Sequence, residues 1–216
     1  MTTAIRTHRV FGPLMVAIAA AATVLAIGIG RFLAPPETPP AYSDAKPEAG
    51  TDGFVMHRES ILIDVPLERY VEWSARVPLE SILPGSDDIP RVIGTEPVNG
   101  EWGQVGARRR VVLEDGHYVA EEILANDTPR RFRYQVWGYT NVARLMIAYA
   151  IGEFILIEED GKTRVAWTYS FQPTTGIARP LLTRFVGGAW ADYMRAVLLT
   201  MRTAAERHAG STAVVR

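Results

Sequence analysis

Turn dipeptides interrupt the second half of the sequence at short intervals and constrain its fold more than any other feature. Asn99-Gly100, Asp115-Gly116 and Asp160-Gly161 separate segments in which apolar and polar residues alternate. Asn-Gly and Asp-Gly favour the tight turns of β-hairpins, and alternation is typical of strands with one buried face. The pattern therefore predicts an antiparallel meander. Its strands are placed at 91–98, 106–114, 117–124, 131–139, 145–158 and 163–171.

Helical patterns flank this meander. A first strand at 54–65 ends at Pro66, which is a favourable residue for the first turn of a short helix, and a second short helix is predicted at 79–83. The stretch 180–208 places bulky apolar residues on one helical face, which a sheet with one buried face needs as a cover. Gly187-Gly188 within it predicts a kink or close packing against the sheet. These elements form one α+β domain at 54–208, followed by a disordered tail at 209–216.

The N-terminal part of the chain contains 21 residues without a charge, Val10 to Gly30. A helix of this length spans about 30 Å, the thickness of the hydrocarbon core of a bilayer. Residues 1–33 are therefore predicted to be a transmembrane anchor; a cleaved signal peptide is the main alternative. Arg6 and Arg9 precede the stretch and only Arg31 follows closely, which favours a cytoplasmic N-terminus and a domain outside the cytoplasm.

Residues 34–53 contain five prolines and almost no large apolar side chains. This composition is typical of an extended, semi-rigid linker without a core of its own. Fully extended, such a linker would hold the domain up to about 60 Å from a membrane.

Composition excludes several classes of protein. The chain has no cysteine, which excludes disulfides, thiolate metal sites and a thiol nucleophile. A net charge of −1 argues against a dedicated nucleic-acid binder. Four scattered histidines do not form a metal-ligand pattern, and the common catalytic and nucleotide-binding motifs are absent. The sequence thus predicts no metal and no cofactor, and it does not define the oligomeric state.

The order of these elements resembles the SRPBCC or START-like superfamily, in particular its polyketide cyclase/dehydrase and lipid-transport branch. The similar segments are ESILIDVPLERYVEWSARV, GEWGQVGARRRVVLEDGHYVAEEI, PRRFRYQVWGY, GKTRVAWTYSFQP and LLTRFVGGAWADYMRAVLLTMRTAAE. The resemblance covers about 54–208 and depends on order and spacing, with no single diagnostic motif. It implies a helix-grip (START or Bet v 1-like) fold, in which an antiparallel sheet wraps around the C-terminal helix and leaves a cavity. This superfold hosts carriers, cyclases and regulators, so it does not define one function.

If that cavity exists, alternation predicts which side chains line it. The apolar candidates share the inward parity of two strands or lie on the C-terminal helix: Phe132, Tyr134, Val136, Trp167, Tyr169, Phe185, Trp190 and Met194. The alternative for each is a place in a packed core. A ligand site needs a mostly apolar lining with a few polar groups.

Arg109 and Glu121 are the candidate polar groups. They share parity with apolar neighbours, and a pair across adjacent strands would compensate two buried charges. The opposite register would place Arg108, Arg110 and Glu122 inside. Alternatively, the arginines form a solvated strand face or contact anionic headgroups. His117 follows Asp115-Gly116 and is predicted at a turn.

Three functions fit this pattern. The first is a membrane-anchored domain that binds or carries a hydrophobic small molecule such as a lipid, isoprenoid or polyketide. The second is a cyclase or dehydratase that uses Glu121 as an acid–base residue. The third is a non-catalytic, membrane-tethered interaction module with a filled core.

Overall fold

The computed structural model describes residues 33–44 and 46–213, so the predicted transmembrane segment from Val10 to Gly30 lies outside the described residues. The strands are β1 Val55–Ile63, β2 Val92–Asn99, β3 Arg108–Leu113, β4 Tyr118–Asp127, β5 Arg131–Trp137, β6 Ile147–Glu159 and β7 Lys162–Pro173. The α-helices are α1 Leu67–Ser74, α2 Arg179–Phe185 and α3 Ala191–Ala213. Short 3-10 turns cover Leu79–Ser81 and Val142–Leu145, and a π-helical turn covers Val186–Trp190. No helix among the described residues is long and apolar enough to cross a bilayer.

The strands form one antiparallel sheet in the order β1-β7-β6-β5-β4-β3-β2. The predicted meander is confirmed, because each strand from β2 to β7 pairs with the next along the chain. Strand β1 closes the sheet by pairing with β7, from Val55 opposite Phe171 to Ile63 opposite Thr163. The C-terminal helix buries its apolar residues Met194 and Val197 in the main core cluster. This confirms the α+β helix-grip arrangement.

The C-terminal helical region differs from the single helix predicted at 180–208. Gly187 and Gly188 lie in the π-helical turn, a recognised cause of helix kinks. A Cβ at either position would meet no atom within 4 Å, so close packing does not explain these glycines. Residues 209–213, predicted to be disordered, are the last residues of α3. Arg69 stabilises this end by donating from Nη2 to the carbonyl of Ala209 at 3.3 Å.

The segment predicted to be a free linker lies on the outer face of the sheet. We refer to residues 35–44 and 46–54 as the N-terminal strap. It contains no helix or strand, as its prolines predict, but it is tied to the sheet by hydrogen bonds. Tyr42 Oη donates to the carbonyl of Gly138 at 2.6 Å, Gln135 Nε2 donates to that of Pro47 at 2.8 Å, and the N–H of Gly50 donates to Tyr149 Oη at 2.8 Å.

Apolar contacts add to these bonds. Tyr42, Ala49 and Phe54 pack against a second, smaller core cluster on the outer face, formed by Ala120, Trp137, Tyr149 and Ile151. Gly138 makes the approach possible, since a Cβ there would lie 2.5 Å from Cε1 of Tyr42 and its φ of 67° favours glycine. The segment has no helix or strand, as expected of the predicted extended linker, but it packs on the outer face of the sheet. The strap is part of the folded domain.

Replacing Tyr42 with alanine should lower the free energy of unfolding by about 2 kcal/mol, because both the Gly138 bond and the ring contacts are lost. Urea unfolding of the full-length protein, followed by near-ultraviolet circular dichroism, measures this change. Ser43→Ala is the matched control, since only the backbone carbonyl of Ser43 is hydrogen-bonded to the sheet. Equal stability of the two variants would show that the strap contributes nothing.

Candidate functional site

A cavity of about 350 Å³ lies between the inner face of the sheet and the helices. Its deep wall is aromatic and consists of side chains from β5, β7 and the C-terminal helical region, namely the buried Tyr134, Trp167, Tyr169 and Tyr193 and the partly buried Trp190. These rings contact each other edge-on or tilted; for example, Tyr169 and Trp190 have centroids 4.6 Å apart. Large rigid rings leave space where their edges meet. Aliphatic side chains at the same positions would fill that space.

The mouth of the cavity is at one end of the sheet. The exposed residues that line it are Ala75 after α1, Gly103 in the β2–β3 connection, and Thr128 and Pro129 in the β4–β5 turn. All three connections lie at the end where β1 stops and β5 begins. A ligand would therefore enter between α1 and these two turns.

Gly152 on β6 provides the space in which the ring of Tyr134 lies. A Cβ at position 152 would be 2.2 Å from Cζ of Tyr134, which is closer than any real contact. The absence of a side chain at 152 thus allows Tyr134 to lie flat against β6, and the cavity remains open in front of the ring.

Arg109 and Glu121 form the predicted pair across β3 and β4. They are direct partners in the register, with Nε and Nη2 of Arg109 at 2.7 and 2.6 Å from Oε2 of Glu121. Their side chains are only 15% and 10% exposed, so each charge compensates the desolvation of the other. The guanidinium also stacks on Trp102, with Cζ 3.6 Å from the ring centroid. The pair therefore provides a fixed polar group in a largely apolar wall.

Tyrosine hydroxyls supply further polar groups near Glu121. Burial raises the pKa of Tyr134, and the negative charge of Glu121 raises this pKa further. Burial, followed by the same charge, also raises the pKa of Tyr193. These hydroxyls therefore stay protonated at neutral pH and act as hydrogen-bond donors rather than bases.

Trp190 has an unsatisfied donor. Its indole Nε1 is buried and has no hydrogen-bond partner among the described residues. Buried donors are almost always paired in folded proteins, so this one requires an explanation. Because Trp190 lines the cavity, an oxygen atom of a bound molecule is a suitable acceptor.

The structure brings most of the predicted site residues together. Those that line the cavity are Arg109, Glu121, Phe132, Tyr134, Trp167, Tyr169 and Trp190. Val136, Phe185 and Met194 do not line it and belong to the surrounding core. Val136 shows the reason, because it lies on the same face as Tyr134 but one step further from the mouth. Strand parity defines a face of the sheet and not a position along it.

Trp102 lines the cavity but was not predicted to do so, and Tyr193, which also lines it, was predicted only as part of the apolar interior face of the C-terminal helix. Trp102 lies in a connection, where alternation gives no signal, and it faces the cavity because Arg109 holds its ring. Tyr193 lies on the apolar face of the long helix, and helical periodicity predicts that face but not which of its residues line the cavity.

Arg108 and Arg110 lie on the outer face, beneath the strap, and are only 15% and 16% exposed, so they do not form the solvated strand face that one alternative predicted. Nη1 of Arg108 donates to the carbonyl of Asp44 at 2.7 Å, and Nε of Arg110 donates to that of Pro40 at 2.9 Å. Arg108 and Lys46 bind Glu122 at 2.6 and 2.7 Å. Burial would raise the pKa of Glu122, but the hydrogen bonds from Lys46 and Arg108 outweigh burial and lower it.

No metal-binding group of three or more ligating side chains occurs within residues 33–44 and 46–213. His117 is buried just before β4, and its Nδ1 lies 3.0 Å from Oγ1 of Thr140. It does not line the cavity, so it offers no base to a bound molecule there.

An antiparallel sheet that grips a long C-terminal helix over a mostly apolar cavity defines the helix-grip class of small-molecule-binding folds. The family model described as "Polyketide cyclase / dehydrase and lipid transport" matches residues 58–206. The chain belongs to this family, and hence to the SRPBCC superfamily.

Solved structures share the fold at low sequence identity. The chain is similar to Ara h 8.0201, with 17% identity, a TM-score of 0.55, and coverage of 71% of this chain and 98% of that one. It is also similar to the ZhuI aromatase/cyclase from a Streptomyces species, with 15% identity, a TM-score of 0.54, and coverage of 72% and 96%. No curated protein matches the sequence significantly.

Removing one member of the Arg109–Glu121 pair should cost about 3 kcal/mol of unfolding free energy, because a charge is left in the wall without its partner. A double-mutant cycle with Arg109→Met, Glu121→Leu and the combined variant measures this. We expect the double variant to be more stable than the sum of the single losses, with a coupling of about 1–3 kcal/mol. Additive losses would show that the two side chains do not interact energetically.

Proposed function

We propose that this protein is a membrane-anchored domain that binds or carries a hydrophobic small molecule in its cavity. The single observation that carries this proposal is the cavity of about 350 Å³ beneath an aromatic wall. Ligand sites are concave and mostly apolar, with a few polar groups that fix the orientation of the ligand. A module that only binds another protein has no use for such a space.

The polar groups restrict the kind of ligand. Arg109 is paired with Glu121, and Arg131, which also lines the cavity, is paired with Glu153 at 2.8 Å. Among the described residues, the lining therefore offers no unpaired charge to attract a strongly anionic or cationic molecule. Trp190 and the protonated tyrosines offer hydrogen-bond donors. These features favour an apolar body that carries one or more neutral oxygen atoms, as found in lipids, isoprenoids and polyketides.

Membrane anchoring is supported by the sequence of the uncharged stretch from Val10 to Gly30. The flanking arginines favour a domain on the side of the membrane away from the cytoplasm. An anchored carrier has a physical advantage, because apolar molecules partition into the bilayer and are concentrated near it.

Gly152→Ala should block the cavity, because the added Cβ overlaps Tyr134 and pushes its ring towards the ligand space. We expect at least a tenfold decrease in the amount of apolar molecule that co-purifies with the full-length protein, measured by organic extraction and mass spectrometry. The matched control is Gly94→Ala on β2, where a Cβ meets nothing within 4 Å.

The anchor is identical in both variants and in the unchanged protein, so lipid bound to it cancels in this comparison. Circular dichroism checks that Gly152→Ala remains folded. A folded Gly152→Ala protein that retains the same amount of ligand would contradict the proposal.

An enzyme of the cyclase or dehydratase type is the second candidate. The observation that favours it is a carboxylate, that of Glu121, in the cavity wall close to tyrosine hydroxyls. If Glu121 transfers protons, Glu121→Gln should lower turnover of a poly-β-ketone substrate by at least a hundredfold while the amount of bound substrate changes little. Equal loss of binding and turnover would instead indicate a role in positioning.

A further inference from the structure

One end of the sheet exposes apolar side chains that the cavity and the core do not use. They lie in two connections, 138–146 between β5 and β6 and 173–185 from the end of β7 through α2. The exposed apolar residues are Val142, Leu145, Ile177 and Leu181, and Ile177 is 93% exposed. We refer to these two connections together as the basic end.

The two connections form one surface. The N–H of Thr174 donates to the carbonyl of Met146 at 3.0 Å, and its Oγ1 donates to that of Leu145 at 2.8 Å. Single exposed apolar residues are ordinary on a protein surface, but several on adjoining loops mark an interaction site.

The charged residues of the basic end are Arg144, Arg179 and Arg184, and neither of its two connections contains an aspartate or glutamate. The neighbouring β3–β4 turn contains Asp115 and also Glu114, which is paired with Arg91. Arg179 is held in place, since its Nη1 donates to the carbonyl of Gly53 at 2.7 Å. Arginines among exposed apolar side chains are the combination that binds an anionic lipid surface.

The strap brings the chain to this same end. Pro35 lies beside Gly116 in the β3–β4 turn, where an added Cβ would be 3.2 Å from the proline ring. That turn and the basic end share one end of the sheet, because β3 and β5 finish there and β6 begins there. Along the sequence, only residues 31–34 separate Pro35 from the uncharged stretch.

We propose that the basic end docks on the surface of an anionic lipid bilayer, with Ile177 and Leu181 inserted between the lipids. The inference rests on the proposed anchor, since the short connection to Gly30 selects a bilayer over another partner. Its consequence concerns the ligand. The cavity mouth lies at the opposite end of the sheet, about 23 Å away along β5, which joins the β4–β5 turn at the mouth to the 138–146 connection. Docking would therefore turn the mouth away from the lipid, towards the aqueous phase.

The absence of cysteine allows a direct test in the full-length protein. A fluorescent label is attached to Ile177→Cys or, as a control at the opposite end, to Glu158→Cys, which is also exposed. The labelled protein is reconstituted in vesicles of phosphatidylcholine and phosphatidylglycerol at a ratio of 7:3. We expect nitroxide lipids to quench the label at 177 at least threefold more than the label at 158. Aqueous iodide should show the reverse order.

Iodide quenching of both labels to the same extent would overturn the proposal. So would protection of the label at 177 from both quenchers, together with disulfide cross-linking of the unlabelled Ile177→Cys protein by atmospheric oxygen, since the surface would then join two protein chains. Vesicles of phosphatidylcholine alone should give weaker lipid quenching at 177, and equal quenching would refute the role of the arginines.

Extraction with alkaline carbonate tests the anchor separately. We expect the protein to remain with the membranes, and its release would refute the anchor alone. In that case, flotation of the released protein with the 7:3 vesicles still tests docking. Flotation that is lost in Ile177→Asp would support docking, and absence of flotation of the unchanged protein would overturn it.

Discussion

Two ion pairs on neighbouring residues, Arg109–Glu121 and Arg108–Glu122, join β3 to β4 on opposite faces of the sheet. Because successive side chains of a strand point to opposite faces, this register gives the cavity one pair and the outer face the other. A slip by one residue would exchange the faces of every charged and apolar side chain on these strands. The position of the cavity wall and the site that holds the strap therefore depend on the same register.

The binding of the strap to the sheet affects how the cavity mouth and the basic end, at opposite ends of the sheet, can be oriented. The composition of 34–53 suggests a linker that would let the domain move far from a membrane. The strap is instead bound to Arg108, Arg110 and Gln135, so it has a fixed course along the outer face of the sheet. Under the proposal that the chain is anchored, a strap held in this way would restrict the orientation of the domain and give different roles to the cavity mouth and the basic end.

Local signals made much of the fold predictable. Asp160-Gly161 forms the two-residue turn between β6 and β7, with positive φ at both residues. Asp115-Gly116 lies within the short connection from β3 to β4, whereas Asn99-Gly100 begins a longer connection, 100–107, so it marks the end of a strand and does not itself form the hairpin turn. Alternation then assigns a face to each strand residue. The docking of the strap was not predictable in this way. Its main bonds end on backbone carbonyls, such as those of Pro40 and Pro47, which have no side-chain signature.

The sequence predicts on which face of the sheet the residues of the candidate site lie, but not how far along each strand the cavity extends. Tyr134 and Val136 have the same parity on β5, and both point to the inner face. Only Tyr134 borders the cavity, because the position of a hollow along a strand depends on how the helices above it pack. Trp102 could not be predicted for a different reason. It lies in a connection, and its place in the cavity wall depends on a contact with Arg109 from a strand.

The geometry of Glu121 favours binding over proton transfer as the principal task of the cavity. Both bonds from Arg109 end on Oε2, so the carboxylate is held in one orientation by a permanent cation. A general base must accept a proton during the reaction, and this would weaken its interaction with the arginine in a poorly solvated wall. A binding site has no such cost, because a fixed, neutral pair beside protonated tyrosines can orient an oxygen atom of a ligand without changing its own charge.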